Sequence, residues 1–211
     1  ADAWYDGKMT DNHSVQANVL ALFAGIVQPR KLEKFKQKLL LDYAPYFFKV
    51  EDEANENPYF KYFVLEMGFE FENRDWAADY IRYYWGKMIS EGATTWWDRY
   101  CPDSEFGSEE ALSLCHGYGV SPSYFMITDI AGVRPCEPGY TTFYFNPLLT
   151  AVEWCRAQVN TPHGKIQVDW GFRESGELEI MLDATFNCTV IPLLNSDIIS
   201  DAVMQVSDMI E

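Results

Sequence analysis

The stretch Gly164-Lys165-Ile166-Gln167-Val168-Asp169-Trp170-Gly171-Phe172 determines the character of the second half of the chain. Its apolar residues fall at every second position: Ile166, Val168, Trp170 and Phe172. Successive side chains of a strand point to opposite faces, so this alternation predicts a strand with one buried face.

Further strand patterns flank this stretch on both sides. They cover residues 140–145, 152–159, 177–182 and 186–191, and Ser175-Gly176 is a turn that leads into residues 177–182. Short strands joined by tight turns predict an antiparallel sheet or sandwich. Residues 198–211 are compatible with a strand pair or with a tail.

The pattern upstream is helical. Apolar residues recur at helical spacing over residues 13–27, 32–43, 58–71 and 73–92, and a weaker pair follows from Ser108 and from Ser121-Pro122 to Gly132. Asn57-Pro58 and Asn73 are helix starts. The pattern of apolar residues changes from helical to strand-like near residues 135–139. We therefore place a domain boundary after residue 137, with a helical domain (1–137) before a β domain (138–211).

Composition excludes several classes of partner. The 211 residues carry a formal net charge of -16, which disfavours nucleic acid and anionic lipid. No apolar run approaches the roughly 20 residues that span a bilayer. The five cysteines are scattered without a CxxC pair, which favours free thiols over a disulfide framework and gives no zinc spacing. We expect no cofactor and no metal, whereas neutral ligands remain open.

Two polar residues are candidates for chemistry. Asp98 follows two tryptophans in Gly92-Ala93-Thr94-Thr95-Trp96-Trp97-Asp98, just past a predicted helix end. A carboxylate there could activate water beside an aromatic wall, or could simply cap the next turn. His116, in Ser113-Leu114-Cys115-His116-Gly117-Tyr118, could bind a ligand hydroxyl or be structural.

Several phrases together resemble one family. They are Tyr84-Trp85-Gly86, the stretch from Gly92 to Asp98, the stretch from Ser113 to Tyr118, Gly132-Val133-Arg134-Pro135 with Pro138-Gly139-Tyr140, and Thr161-Pro162-His163-Gly164-Lys165-Ile166. Their order resembles the C-terminal third of bacterial α-L-rhamnosidases of glycoside hydrolase family 78. The resemblance covers nearly the whole chain, and the last dozen residues match poorly.

The resemblance implies a fold and an activity. The fold would be a partial (α/α)6 toroid of antiparallel helix pairs followed by a small antiparallel β-sandwich. The activity would be inverting removal of terminal α-L-rhamnose, which needs two carboxyl groups about 6.5–9.5 Å apart. Asp98 stands where the family has the Glu that serves as general base. His116 matches the family's sugar-holding His, and Trp96, Trp97 and Tyr118 would line the same substrate site.

The resemblance also predicts what lies outside the chain. The general acid would belong to an upstream part of the same protein, so we expect the 211-residue chain alone to be inactive. The start at Ala1, without an initiator Met, agrees with that expectation. Helix faces meant for missing neighbours would favour a dimer. A periplasmic or secreted location is expected if the full-length protein carries a signal peptide.

Two other functions remain open. The chain could be a non-catalytic carbohydrate-binding or scaffold protein of the same fold, which the replacement of Glu by Asp98 would favour. It could also belong to a hydrolase for another deoxy-sugar or a uronide.

Overall fold

The computed structural model describes residues 14–42, 58–71, 73–100, 113–194 and 203–207. They fall in two compact units, Ala1–Pro122 and Ser123–Glu211. This division lies earlier in the chain than the boundary predicted after residue 137. The assignment of residues 1–137 to a toroid and 138–211 to a sandwich stays a prediction.

The described part of the first unit is helical. Its α-helices are α1 (Val15–Phe23), α2 (Leu32–Asp42), α3 (Pro58–Glu70), α4 (Arg74–Ile81) and α5 (Lys87–Ser90). A π-helical turn, Arg82–Gly86, joins α4 to α5, and 3-10 turns occupy Pro29–Lys31 and Gly117–Val120. Helix α6 (Ser121–Phe125) crosses the division and continues as a π-helical turn, Met126–Ile130.

Helix ends follow local chemistry. Ser14 caps α1, because its Oγ accepts a hydrogen bond from Ala17 N at 3.1 Å. That helix is shorter than the predicted 13–27, since Gly25 adopts a φ of 65°. Asn73 precedes α4 as predicted but makes no side-chain capping bond. The predicted starts at Asn57 and Ser108 lie outside the described residues.

Helices α3 and α4 pack closely at a glycine. A Cβ on Gly68 would lie 2.9 Å from Ala77 Cβ, so only glycine allows this approach.

Lys61 of α3 is buried in the helical unit and only 3% exposed. Lys61 Nζ donates to the Tyr80 hydroxyl at 3.1 Å and lies 4.3 Å from the Tyr84 ring centroid. Burial raises the pKa of Tyr80, which therefore remains a neutral phenol.

The second unit contains seven described strands. They are β1 (Val133–Pro135), β2 (Thr142–Phe145), β3 (Trp154–Thr161), β4 (Gly164–Phe172), β5 (Leu178–Ala184), β6 (Thr189–Pro192) and β7 (Val203–Ser207). They form two sheets with the strand orders β1-β2-β6 and β3-β4-β5-β7. Five strand patterns are confirmed, while β1 was not predicted and β7 lies in the stretch that was left open.

The predicted antiparallel pairing is found in three of the five described strand pairs. Strands β2 and β6 pair in parallel, as do β5 and β7. The remaining pairs, β1–β2, β3–β4 and β4–β5, are antiparallel. A tight turn forces its two strands to be antiparallel, but strands that are distant in sequence are free to pair either way.

Both sheets contribute to one hydrophobic core. It contains Phe143 and Phe145 from the first sheet and Ile166, Val168 and Trp170 from the second, each at most 1% exposed. The alternation of β4 is therefore confirmed as the basis of this core. The observed order, helices first and sheets afterwards, confirms the coarser fold prediction.

Three properties of the described residues bear on function. No helix among them combines the length and apolar character needed to cross a membrane. Nor do they contain a group of three or more His, Cys, Asp or Glu side chains arranged to hold a metal ion. Within the same residues, Cys115, Cys136, Cys155 and Cys188 carry thiols rather than disulfides, and Cys101 lies outside them.

Candidate functional site

Two loop segments of the first unit come together at the predicted site. Residues 92–100 follow α5, and residues 113–116 precede the turn Gly117–Val120. His116 N donates to Trp96 O at 2.7 Å, and Asp98 N donates to Ser113 O at 3.0 Å. The Thr95 hydroxyl also donates to Leu114 O. Backbone hydrogen bonds thus join two sequence motifs, Gly92 to Asp98 and Ser113 to Tyr118, that are separate along the chain.

The Asp98 carboxylate takes part in this pairing. Its Oδ1 accepts hydrogen bonds from Ser113 N at 2.8 Å and from Arg99 N at 2.7 Å. The side chain is half-buried. Hydrogen bonds to a charged acceptor are stronger than neutral ones, so this oxygen fixes both the loop pair and the plane of the carboxylate.

The two tryptophans before Asp98 differ in environment. Trp97 is 4% exposed, and its ring meets Tyr100 edge-on at a centroid distance of 5.3 Å. This burial leaves little of the Trp97 ring accessible, so its predicted place in the substrate site stays a prediction. Trp96 is partly exposed and lies against Gly119, where an added Cβ would come within 2.6 Å of Trp96 Cβ.

Two exposed tyrosine rings extend from His116. The ring of Tyr118 lies 5.0 Å from the His116 ring and 5.1 Å from the Tyr59 ring, measured between centroids. Tyr118 is 62% exposed and Tyr59 is 52% exposed. Sequence reasoning missed Tyr59, because it stands outside the apolar stripe of α3. Tyr59 directly follows the helix start Asn57-Pro58, and nothing in this local pattern predicts its contact with Tyr118.

Buried aromatic residues of the helical unit pack against the loop pair and hold it in position. Trp85 Nε1 donates to Gly119 O at 2.8 Å, which ties the second segment to the helical layer. Tyr100 contacts the Tyr84 ring edge-on at 5.5 Å and donates its hydroxyl to Glu91 Oε1 at 2.7 Å. Through Tyr84 and Trp85, the motif Tyr84-Trp85-Gly86 therefore contacts both loop segments.

The chemical capacity of the site follows from these contacts. It presents a fixed carboxylate at Asp98, an imidazole at His116 and exposed aromatic rings at Tyr118 and Tyr59. Aromatic rings with polar ends suit a ligand that has one apolar face and a polar edge. A carboxylate whose second oxygen can reach water can act as a general base.

Comparison with known proteins agrees with this fold. Residues 132–198 match the family model of the bacterial alpha-L-rhamnosidase C-terminal domain. The β-rich part of the chain is thus similar to that class of domain. The resemblance that the sequence phrases indicated is confirmed.

Particular relatives extend the similarity. An alpha-L-rhamnosidase of Alteromonas sp. (strain LOR) is 32% identical over 108 residues, which cover 49% of this chain and 12% of that protein. A GH78 family rhamnosidase of Bacillus sp. GL1 superposes on 97% of this chain with a TM-score of 0.80 and 25% identity. A Streptomyces avermitilis alpha-L-rhamnosidase, solved with L-rhamnose, shares the fold with a TM-score of 0.62 over 82% of this chain, at 23% identity.

The chain corresponds to a minor part of these proteins. It covers 22% of the Bacillus chain and 17% of the Streptomyces chain. The activity of a whole protein that contains this chain is therefore addressed as a proposal.

Proposed function

We propose that this chain is the C-terminal part of a glycoside hydrolase that removes terminal α-L-rhamnose from glycans or glycosides with inversion. The observation that carries the proposal is the pairing of two loops, through His116 N to Trp96 O and Asp98 N to Ser113 O. This pairing brings a carboxylate and an imidazole onto one loop pair beside exposed aromatic rings. The similarity to alpha-L-rhamnosidases supports the choice of sugar.

In this proposal Asp98 is the general base. Its Oδ1 is held by two backbone N–H groups, so we assign the other oxygen, Oδ2, to the attacking water. A general base must lie about 2.6–3.2 Å from the group whose proton it takes. Aspartate is one methylene shorter than the family's glutamate, and the two N–H donors fix where that shorter side chain ends.

The remaining residues of the site bind the sugar. His116 hydrogen-bonds a ring hydroxyl, and Tyr118 and Trp96 pack against the apolar face of the ring. Tyr59, which contacts Tyr118, extends the same wall. Trp97 is assigned to the support of the loop because it is buried.

The architecture of the whole protein completes the proposal. The helical unit is part of an (α/α)6 toroid, and the β unit is a sandwich that follows it. An upstream part of the same protein supplies the general acid. The 211-residue chain alone then releases no phenol from an aryl α-L-rhamnoside, and measurable release by the purified chain would contradict this.

The decisive test uses the full-length protein with Asp98→Asn. The amide oxygen of the introduced asparagine can accept the same two backbone hydrogen bonds, so the loop is retained while the base is lost. We expect kcat on an aryl α-L-rhamnoside to fall about 100- to 10,000-fold. Asp79→Asn is the matched control, because Asp79 is an exposed helical residue paired with Arg82 at 2.8 Å. Unchanged kcat in Asp98→Asn would refute the assignment.

A second function is favoured by one observation. Asp98 Oδ1 is already engaged with backbone, as a purely structural residue would be. The chain would then belong to a non-catalytic carbohydrate-binding or scaffold protein. In that case Tyr118→Ala weakens sugar binding, while the full-length protein turns over neither rhamnosides nor the aryl glycosides of other deoxy-sugars and uronides.

A further inference from the structure

The outer face of the sheet β3-β4-β5-β7 contains a cavity that the function proposed above does not use. Its volume is about 370 Å³, which lies within the range of about 300–1,000 Å³ for small-ligand sites. The lining residues that matter here are Trp154, Arg156, Asp169, Gly171, Arg173 and Glu179. They belong to the second unit, whereas Asp98 and His116 belong to the first.

A glycine creates the floor of this cavity. In the strand register Trp154 pairs with Gly171, and Gly171 pairs with Glu179, so the three residues form one row across β3, β4 and β5. A Cβ on Gly171 would lie 2.9 Å from Trp154 Cβ. The missing side chain therefore leaves bare backbone between an indole and a carboxylate.

The indole of Trp154 is unusually accessible. It is 71% exposed, the largest value among the large apolar side chains that the structure describes. Met181, which follows on the next row of the same face, is 41% exposed. Exposing an aromatic surface of this size to water is unfavourable, so its presence beside a cavity points to a ligand that packs against it.

Two ion pairs border the indole. Arg156 Nε donates to Asp169 Oδ2 at 2.5 Å. Arg173 donates to Glu179 through Nε at 3.0 Å and through Nη2 at 2.8 Å. The paired charges cancel, so the cavity offers no net attraction to a charged ligand. Each guanidinium and carboxylate retains further donors or acceptors for hydroxyl groups.

We propose that this cavity binds a sugar ring of a neutral glycan, as a second site independent of the loop site at Asp98. A sugar ring has an apolar C–H face, which suits the Trp154 indole, and an edge of hydroxyl groups, which suits the two ion pairs. The bare backbone at Gly171 admits the ring between them. Because the residues belong to different units, either site can fail without the other.

The first experiment measures retention of the 211-residue chain in native gels that contain hydroxyethylcellulose, galactomannan or arabinoxylan. We expect binding to at least one of these three polysaccharides. Trp154→Ala should weaken that binding at least tenfold, and Trp154→Tyr should retain most of it. Absence of binding to all three would overturn the proposal.

Control variants separate this site from the loop site and from contacts between copies of the chain. Leu193→Ala removes another exposed apolar side chain of the same unit, 53% exposed, and should leave binding unchanged. Asp98→Asn and Tyr118→Ala, which alter the loop site, should leave retention by the polysaccharide gels unchanged, because neither residue lines this cavity. Arg156→Ala tests the polar edge if Trp154→Ala fails to fold. If Trp154→Ala instead only lowers the mass in light scattering without sugar, Trp154 contacts a second copy of the chain and the proposal is wrong.

Discussion

Asp98 and Ser113 are joined by two reciprocal hydrogen bonds. Asp98 N donates to Ser113 O at 3.0 Å, and Ser113 N donates to Asp98 Oδ1 at 2.8 Å. The side chain proposed to activate water is therefore also the one that closes the loop pair. A substitution of Asp98 can therefore lower activity directly or by disturbing the loop pair. Asp98→Asn keeps an accepting oxygen and Asp98→Ala removes it, so comparing the two separates these effects.

The first prediction concerns the stability of the loop pair. Asp98→Ala should lower the free energy of unfolding by about 1–3 kcal/mol, because two backbone N–H donors lose their acceptor. Asp98→Asn should cost clearly less, since the amide oxygen can replace Oδ1. Urea denaturation followed by circular dichroism measures both. Asp79→Ala, which removes only an exposed ion pair, should stay within about 1 kcal/mol of the parent. Equal values for Asp98→Ala and Asp98→Asn would contradict the structural role.

The second prediction contrasts two glycines of one segment. A Cβ on Gly119 would lie 2.6 Å from Trp96 Cβ, whereas nothing lies within 4 Å of one on Gly117. Gly119→Ala should destabilise by about 1–3 kcal/mol through overpacking and displace Trp96. Gly117→Ala should change stability by no more than about 0.5 kcal/mol. Thermal unfolding of the two variants checks this, and a stable Gly119→Ala would mean that the segments are farther apart.

The third prediction compares two glycines with nearly equal backbone geometry. Gly132 has a φ of 86° and Gly176 a φ of 84°. Gly176→Ala should lower the free energy of unfolding by about 1–2 kcal/mol. The left-handed backbone conformation alone causes this loss, because no atom lies within 4 Å of the added Cβ. Gly132→Ala should cost more, since its Cβ would lie 2.3 Å from Pro147 N. Chemical denaturation gives both values, and a smaller cost at Gly132 would contradict the close approach of Pro147.

The fourth prediction concerns pH. The hydrogen bonds from Arg173 lower the pKa of Glu179. A carboxyl whose folded pKa is lowered stabilises the protein above its unfolded pKa of about 4.3, and that contribution is lost as the pH falls through the folded value. NMR titration should show the pKa of Glu179 rising in Arg173→Gln. Arg156→Gln should leave the pKa of Glu179 unchanged. A similar rise in Arg156→Gln would show that the loss of any positive charge, rather than the Arg173 hydrogen bonds, raises this pKa.

The fifth prediction concerns association. Leu20, Ile26 and Ile89 are each about half exposed in the helical unit. Apolar surface of this kind favours association between copies of the chain. Light scattering at high concentration should therefore give a mass above 24.4 kDa. A mass equal to that of a single chain would count against association.

Sequence reasoning located most elements for a definite physical reason. The alternation of Ile166, Val168 and Trp170 matches the period of a strand, and these three side chains do form the core. The helix before Gly92 ends where that glycine adopts a φ of 97°. The parallel pairs β2–β6 and β5–β7 could not be predicted, because no local pattern specifies which distant strand lies alongside.

The sequence by itself determined the order of helices and strands, the phrases that resemble α-L-rhamnosidases, and the candidate residues Asp98 and His116. Periodicity and turn chemistry are local properties, so they can be read along the chain. Only the tertiary structure decided that Trp97 is buried, that Tyr59 stands beside Tyr118, and that Asp98 is held by Ser113. Those relationships depend on which distant backbone segments pack together, and packing is set by the whole fold.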